Sequence, residues 1–389
     1  MSERSNSPAI VVIAYNRANC LKRLLDSIKE ANYSHDNIKL IISIDYWKSD
    51  NPCYKVADDF LWEHGEKEVI RHKENLGLRK HVLFCGDFSQ EYGAVILLED
   101  DISVSEEFYN YAEGAVNFYY DKNEVVGIGL FSLPYNGYAQ LPFIPYRNGF
   151  DTYYGRWVIS WGECFCKRQW SEFRKWYGNG NKELEYCDTI PSQITDWSDS
   201  SWTKFLVYYM NERGLFFANP YEAYSTNHSD EGDHVSIKNN IWQTSMQHGQ
   251  RELRFADNNS AIKYNTYFER IFEVNIDGTW INSQEICVDL YGITKGYEKY
   301  RYCLSIRHLP YEIIRTFGLE LRPIELNVEK NIPGNEIFLY NMEVKSSVQK
   351  KGNMKISHMI YRYYYPMFQV REGIKFIIIQ IISKLKKCL

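Results

Sequence analysis

Several things are missing from this 389-residue chain, and each absence removes a class of function. It has no basic surplus: the formal net charge is -5, so the broad cationic surface of a general nucleic-acid binder is not available. No C-x-x-C occurs, and the nine cysteines are scattered, with only Cys164 and Cys166 close together. That usage predicts reduced thiols in a cytosolic compartment rather than a disulfide framework. The opening MSERSNSPAIVVIAYNR has no apolar stretch ahead of a cleavage site, so no signal peptide is expected and the protein is predicted to stay where it is made. The nine histidines are dispersed and form no H-E-x-x-H, which disfavours a zinc hydrolase. No heptad seam or internal repeat is visible. The stretch AYNRANCLK after the first apolar run lacks the glycine-rich basic loop that a nucleotidyltransferase would want.

What is present is a chain with 44% hydrophobic and 24% charged residues, enough to build a substantial soluble core. Its length predicts two domains, or one large domain with appendages. The 32 tyrosines and 10 tryptophans suit sugar faces, although most such rings serve a core or an interface.

The first hundred residues have a regular rhythm. AIVVIA (9–14), IKLIISI (38–44), a weaker EVIRH (68–72) and AVILL (94–98) read as strands. Between them lie helical patterns, with Leu21, Leu24, Leu25 and Ile28 on one face and Leu78, Val82 and Cys85 on another. Short apolar runs alternating with amphipathic helices predict an α/β fold, a mostly parallel sheet covered on both faces. Ligands bind such sheets outside the carboxyl ends of the strands. The polar residues there are Tyr15, Asn16 and Arg17, then Asp45, then the triplet Glu99, Asp100 and Asp101.

The triplet is the most unusual feature. Ser103 followed by Glu106 has the form of a capping box, so a helix over about 105–120 is expected to start on Ser103 or Ser105 without help from the acids. Three adjacent carboxylates repel one another and resist burial unless a cation or hydrogen-bond donors meet them. A hard divalent ion such as Mg²⁺ or Mn²⁺, taking one or two carboxylates plus substrate phosphates, fits that need. The plainer alternative is a solvated acidic strand end.

In order and spacing, VVIAYNR, IISID, NLGLRKH and VILLEDD resemble a GT-A fold glycosyltransferase. The likeness is to the N-acetylglucosaminyltransferase I type and to bacterial capsule and surface-polysaccharide (family 2-like) transferases with an E-D-D form of the D-x-D motif. It continues through SWGECFCKRQW (160–170), DSSWTKFLVYYMNERGLFFANP (199–220) and STNHSDEGDH (225–234), covering about residues 8–240. The resemblance implies a Rossmann-like GT-A sheet and a metal-dependent, inverting transfer from a nucleotide sugar, UDP-linked, to a glycan or lipid-linked oligosaccharide acceptor. It implies Asp101 as direct metal ligand, Asp100 on the donor's ribose or sugar, and Glu99 on the donor sugar. Asp45 would read the base, Arg17 would contact the diphosphate, Ala14 and Tyr15 would line the nucleotide, and His81 would touch it. In SWGECF, Glu163 and Phe165 stand where the family pattern often has Trp and Thr, so sugar contacts there are expected to differ. Each role has a plain counterpart: Asp45 as a turn residue, Arg17 as a surface charge, His81 as a packed histidine.

Inversion requires a base to take the acceptor's proton. Asp196 and Asp199 both stand in ITDWSDSSW, and Asp199 matches the family's D-x-x-W with Trp202. Asp199 is therefore the expected base, its alternative being an N-cap on a helix over 201–213. His234 resembles the terminal histidine of the family's glycine-rich loop and is expected to reach the metal or the diphosphate. The expected domains are a nucleotide-sugar transferase domain over 1–250, an accessory region over 251–345, and a C-terminal segment over 346–389. In that last segment Ile374, Ile377, Ile378, Ile381, Ile382 and Leu385 fall at helical spacing among Lys375, Lys384, Lys386 and Lys387. The run is too short to span a bilayer and predicts a peripheral helix on the inner face of the cell membrane, or one docked on protein. The rival readings are a retaining transferase and a non-catalytic sugar- or lipid-binding scaffold.

Overall fold

A computed structural model describes residues 7–178, 183–230, 242–346, 353–367, 371, 373–375 and 378. The chain folds as two compact units: residues 1–134 with 145–271, and residues 135–144 with 272–389. Residues beyond 250 stay in the first unit because Lys263–Tyr264 forms an edge strand of its sheet.

The first unit begins with the alternation read from the sequence. Strand β1 (Ala9–Ala14) leads to helix α1 (Ala18–Lys29), β2 (Leu40–Ile44) to α2 (Pro52–Asp59), and β3 (Lys67–Arg71) to α3 (Leu78–Asp87). A short α4 (Ser89–Tyr92) precedes β4 (Ala94–Glu99), then β5 (Ile102–Val104) and α5 (Phe108–Tyr119). Strand β1 pairs in parallel with both β2 and β4, and β2 in parallel with β3. Every residue of β1 and β2 is buried, as expected of strands covered on both faces. Ile10, Val12, Ile42, Ile96 and Leu98 meet Leu21, Leu24, Leu25 and Ile28 of α1 and the apolar face of α5 in one core.

Beyond β6 (Val125–Gly129) comes a small hairpin of β7 (Tyr135–Asn136) and β8 (Leu141–Pro142), which belongs to the second unit. The first unit resumes with β9 (Thr152–Gly155), β10 (Glu163–Cys166), α6 (Lys167–Tyr177), α7 (Ser192–Thr195) and α8 (Thr203–Arg213). It closes with β11 (Phe216–Pro220), β12 (Ser225–Asn227) and β13 (Lys263–Tyr264). The nine-stranded sheet runs β13-β9-β11-β6-β10-β4-β1-β2-β3, mostly parallel, with β10 antiparallel to both of its neighbours and β9 antiparallel to β11.

Two local expectations are corrected. The residues after the triplet continue as β5, paired with β12, so Ser103 lies in a strand and α5 starts only at Phe108. Neither Ser103 nor Ser105 caps it: Ser103 bonds the His228 ring, and the Glu106 carboxylate accepts the Gly249 N–H. Helix α8 likewise begins at Thr203 without a side-chain cap, so Asp199 is no N-cap.

The second unit contains the hairpin of β14 (Val274–Ile276) and β15 (Thr279–Ile281) and a four-stranded sheet. Strands β16 (Ile286–Asp289), β17 (Tyr302–Ser305), β18 (Tyr311–Phe317) and β19 (Ile337–Lys345) order as β16-β17-β19-β18. Its small core holds Cys287, Cys303, Leu309, Phe338 and Tyr340. The buried Asp289 is satisfied there by Thr294 N–H, Ser305 Oγ and Arg307 Nε. Helix α9 (Leu326–Glu329) and helix α10 (Asn353–Tyr364) follow in the same unit. Among the described residues no helix is long and apolar enough to cross a membrane. Ile374 and Ile378 are exposed, while Ile377, Ile381, Ile382, Leu385, Lys384, Lys386 and Lys387 lie outside the described residues.

Candidate functional site

Parallel pairing brings the carboxyl ends of β4, β1 and β2 side by side, with Ile13 opposite Glu99 and Ala14 opposite Ile44. A cleft of about 530 Å³ opens there. It is lined by Ala14, Tyr15, Asn16 and Arg17 from the end of β1, by Asp45 after β2, and by Glu99, Asp100 and Asp101 after β4. His81 also borders it. Every sequence-predicted site residue other than Asp199 and His234 thus borders one cavity.

The triplet divides by environment. Asp100 is buried and ion-paired with Arg17, whose Nη2 also lies 3.5 Å from Asp101 Oδ2. Burial pushes Asp100 up to about 6 and Arg17 works against that shift. Burial, then Asp101 and Asp100, drives Glu99 well above the ordinary carboxylate range. Burial works against the Arg17 charge, but Asp100 and Asp101 more than offset it and raise the guanidinium's pKa. One cation therefore faces three carboxyl groups. Asp100 Oδ2 and Asp101 Oδ1 are both buried without a hydrogen-bond partner, a costly arrangement that a second cation would relieve. Behind Glu99 on β10, Glu163 is buried with Oε2 unpartnered, and burial, then Glu99, raises it well above its ordinary value.

Asp45 is committed to shaping the cleft. Its Oδ1 accepts the N–H groups of Tyr46 at 2.8 Å and Leu76 at 2.9 Å, and Oδ2 accepts that of Gly77 at 3.0 Å. Gly77 sits at φ 73°, where a side chain would be strained, and it opens α3. The turn reading of Asp45 is thus realised, at the lip of the cavity. His81 is a packed histidine in the same sense: it is buried, with Nε2 2.7 Å from Ser43 Oγ, which also lies 3.1 Å from His72 Nε2. Burial, reinforced by His72, holds His81 well below its ordinary value, so the ring is neutral at pH 7.

Asp199 is outside this lining. Its side chain is fully exposed, with Lys204 Nζ 3.5 Å away, while its neighbours Ser198 and Ser200 line the cleft. Asp196 is exposed as well. His234 lies outside the described residues. Sequence reasoning missed Ser198, Ser200, Asn75 and Asp230, which also line the cleft. Nothing in their local pattern marks them, because long-range folding alone carries them there. Among the described residues no group of three or more His, Cys, Asp or Glu side chains is arranged to hold a metal ion.

This sheet, with its acidic strand end facing a cleft at the switch between β1 and β4, matches a Rossmann-like GT-A fold. Residues 9–153 match the model of Glycosyl transferase family 2, the stretch that carries β1 to β4 and the triplet. No curated protein matches the chain. Solved structures that resemble it include the mannosyltransferase PcManGT from Pyrobaculum calidifontis in complex with GDP-Man and Mn²⁺, at 14% identity and a TM-score of 0.33. Residues 1–349 of TarS from S. aureus match at 12% identity and 0.36, and GalNAc-T7 with UDP, GalNAc and Mn²⁺ at 12% and 0.39. The three alignments cover 55%, 57% and 55% of this chain and 55%, 60% and 41% of those chains, less than two thirds of each relative.

Proposed function

We propose that the chain is a metal-dependent glycosyltransferase that moves a sugar from a nucleotide sugar, UDP-linked, to a hydroxyl of a glycan or lipid-linked acceptor. The reading extends to inversion at the anomeric carbon and to a place in bacterial surface-polysaccharide synthesis, at the inner face of the cell membrane. The observation that carries it is the pair of buried, unpartnered oxygens, Asp100 Oδ2 and Asp101 Oδ1, beside Arg17 at the mouth of the cleft.

Those oxygens fit a divalent cation. Asp101 would hold Mn²⁺ or Mg²⁺, with substrate phosphates supplying further oxygens, and the ion would offset charge developing on the departing nucleoside diphosphate. His234 is kept as a second candidate contact. Arg17, fixed by Asp100 and Asp101, has further N–H groups to offer to phosphate oxygens. The loop held by Asp45 gives the nucleotide a rigid wall, and Ala14 and Tyr15 contribute the end of β1. Glu99 stands where a hydroxyl-rich sugar would find an acceptor or, when protonated, a donor. Asp199, on the turn whose serines border the cleft, would take the acceptor's proton.

The test is a thermal-shift and donor-hydrolysis panel with UDP-, GDP-, dTDP- and CMP-sugars, with Mn²⁺ or with EDTA, on wild type and Asp101→Ala. A Mn²⁺-dependent response to one UDP-sugar, lost in the variant, is expected. Silence with every nucleotide from a folded protein would make the triplet structural and favour the scaffold.

A further inference from the structure

The stretch from Ser225 to Asp230, which reaches the cleft at Asp230, has no role in the reading above, yet it is fastened to the acidic turn at several points. Strand β12 pairs antiparallel with β5, Asn227 opposite Ile102 and Ser225 opposite Val104. Past the strand, the His228 N–H donates to the Asp101 carbonyl at 3.0 Å. The His228 ring is anchored in turn, its Nε2 2.8 Å from Ser103 Oγ. Asn227 Oδ1 accepts the Ser229 N–H at 2.7 Å and so shapes the next bend. At the far end the Asp230 carboxylate takes both terminal nitrogens of Arg23 on α1, with Cys20 Sγ 3.5 Å away.

We infer that residues 225–230 are a strap that holds the Asp101 turn in place, with His228 the positioning residue for Asp101 and the Arg23–Asp230 ion pair the outer anchor. The physical case is one of degrees of freedom. Asp101 is the second residue after the end of β4 at Glu99, and β5 has only three residues, so the turn between them has little regular structure of its own. A carboxylate that must meet a cation within a few tenths of an ångström needs its backbone fixed from outside, as ligands of metals generally are. The strap supplies one bond to the Asp101 carbonyl and one to Ser103 two residues on, and these hold the turn from both sides. Arg23 serves the strap as Arg17 serves the triplet, neutralising a carboxylate that would otherwise face Asp100 and Asp101 across the cleft. The role assigned to Asp101 rests on the proposed function; the fastening of the turn does not.

Two measurements on the full chain keep those apart, using wild type, His228→Ala, His228→Gln and Arg23→Ala. Hydrogen exchange without nucleotide reads the peptide spanning residues 99–104. In His228→Ala its amides should exchange about tenfold faster, the loss expected of one hydrogen bond, while Gln, able to bond Ser103, should restore most of the protection. Arg23→Ala should shift it in the same direction. Mn²⁺ binding in the presence of UDP, followed by the EPR signal of the free ion, should weaken about tenfold in His228→Ala. Unchanged exchange both in His228→Ala, which loses only the ring bond to Ser103, and in Arg23→Ala overturns the strap. Faster exchange with Mn²⁺–UDP affinity within twofold of wild type overturns the positioning role. A wild type that binds no Mn²⁺ with UDP refutes the proposed function and the positioning role together, and the exchange result still decides whether the strap exists.

Discussion

Glu99 shows how far one side chain's environment can be pushed by its neighbours. It is held above the ordinary carboxylate range by burial, then by Asp101 and Asp100. A carboxyl whose pKa is raised on folding stays protonated in the native state while the unfolded chain ionises. Its contribution to stability is therefore intact below the unfolded value, near pH 4, and falls as pH rises toward the folded value. Removing the titration in Glu99→Gln should leave the variant gaining on wild type as pH goes from 5 to 8, at no more than about 1.4 kcal/mol per pH unit. Urea denaturation at pH 5, 6, 7 and 8 reads this, and a constant difference would show that Glu99 ionises normally. At this scale the sequence was informative wherever a residue sits at the carboxyl end of a parallel strand. Tyr15, Arg17, Asp45 and the triplet all reach the cleft because alternation alone puts strand ends together. It was uninformative for Ser198, Ser200 and Asp230, whose approach depends on the path of loops that no local pattern encodes.

Elements were legible to the extent that burial pattern decided them. Helix α1 buries the four apolar residues of its predicted face, with Cys20, and β1 to β4 fall within a residue or two of the expected runs. The capping box failed because Ser103 found a stronger alternative: pairing with β12 keeps residues 102–104 extended, and tertiary pairing outweighs a local capping preference. The packing of α3 on α6 makes a similar contest measurable. Gly86 lies inside α3, where alanine would ordinarily favour the helix by about 1 kcal/mol. A Cβ there would stand 2.1 Å from Trp170 Cζ2, and Trp170 is fully buried, its Nε1 donating to Asp87 at 2.8 Å. The ring cannot swing aside without losing that bond, so overpacking should win. Gly86→Ala is expected to lower stability by about 2 kcal/mol in chemical denaturation, and a neutral or stabilised variant would mean that the α3–α6 seam is loose.

For the molecule as a whole, the proposed function divides the chemistry between one cleft for the donor and one turn for the acceptor. In the proposed reaction the donor side would be built on the ends of β1, β2 and β4; the turn carrying Asp196 and Asp199 lies on a loop between two helices, α7 and α8. A base must come within hydrogen-bond reach of the acceptor hydroxyl, and that hydroxyl enters from solvent, so full exposure of Asp199 without acceptor is compatible with the role. Its partner Lys204, 3.5 Å away, is buried and donates to the Trp197 carbonyl at 3.0 Å, so the lysine ties the turn to α8 and leaves the Asp199 carboxylate largely free. Asp199→Asn should then lower kcat by about 10²-fold or more, while the donor KM and Mn²⁺–UDP binding stay within a fewfold of wild type. Asp196→Asn should cost less than tenfold. The product's anomeric configuration, assigned by NMR, should be inverted relative to the donor. Loss of kcat in Asp196→Asn alone would move the base three residues along the same turn, whereas a retained configuration would remove the need for a base on this turn and place the decisive groups among Glu99, Glu163 and the donor itself.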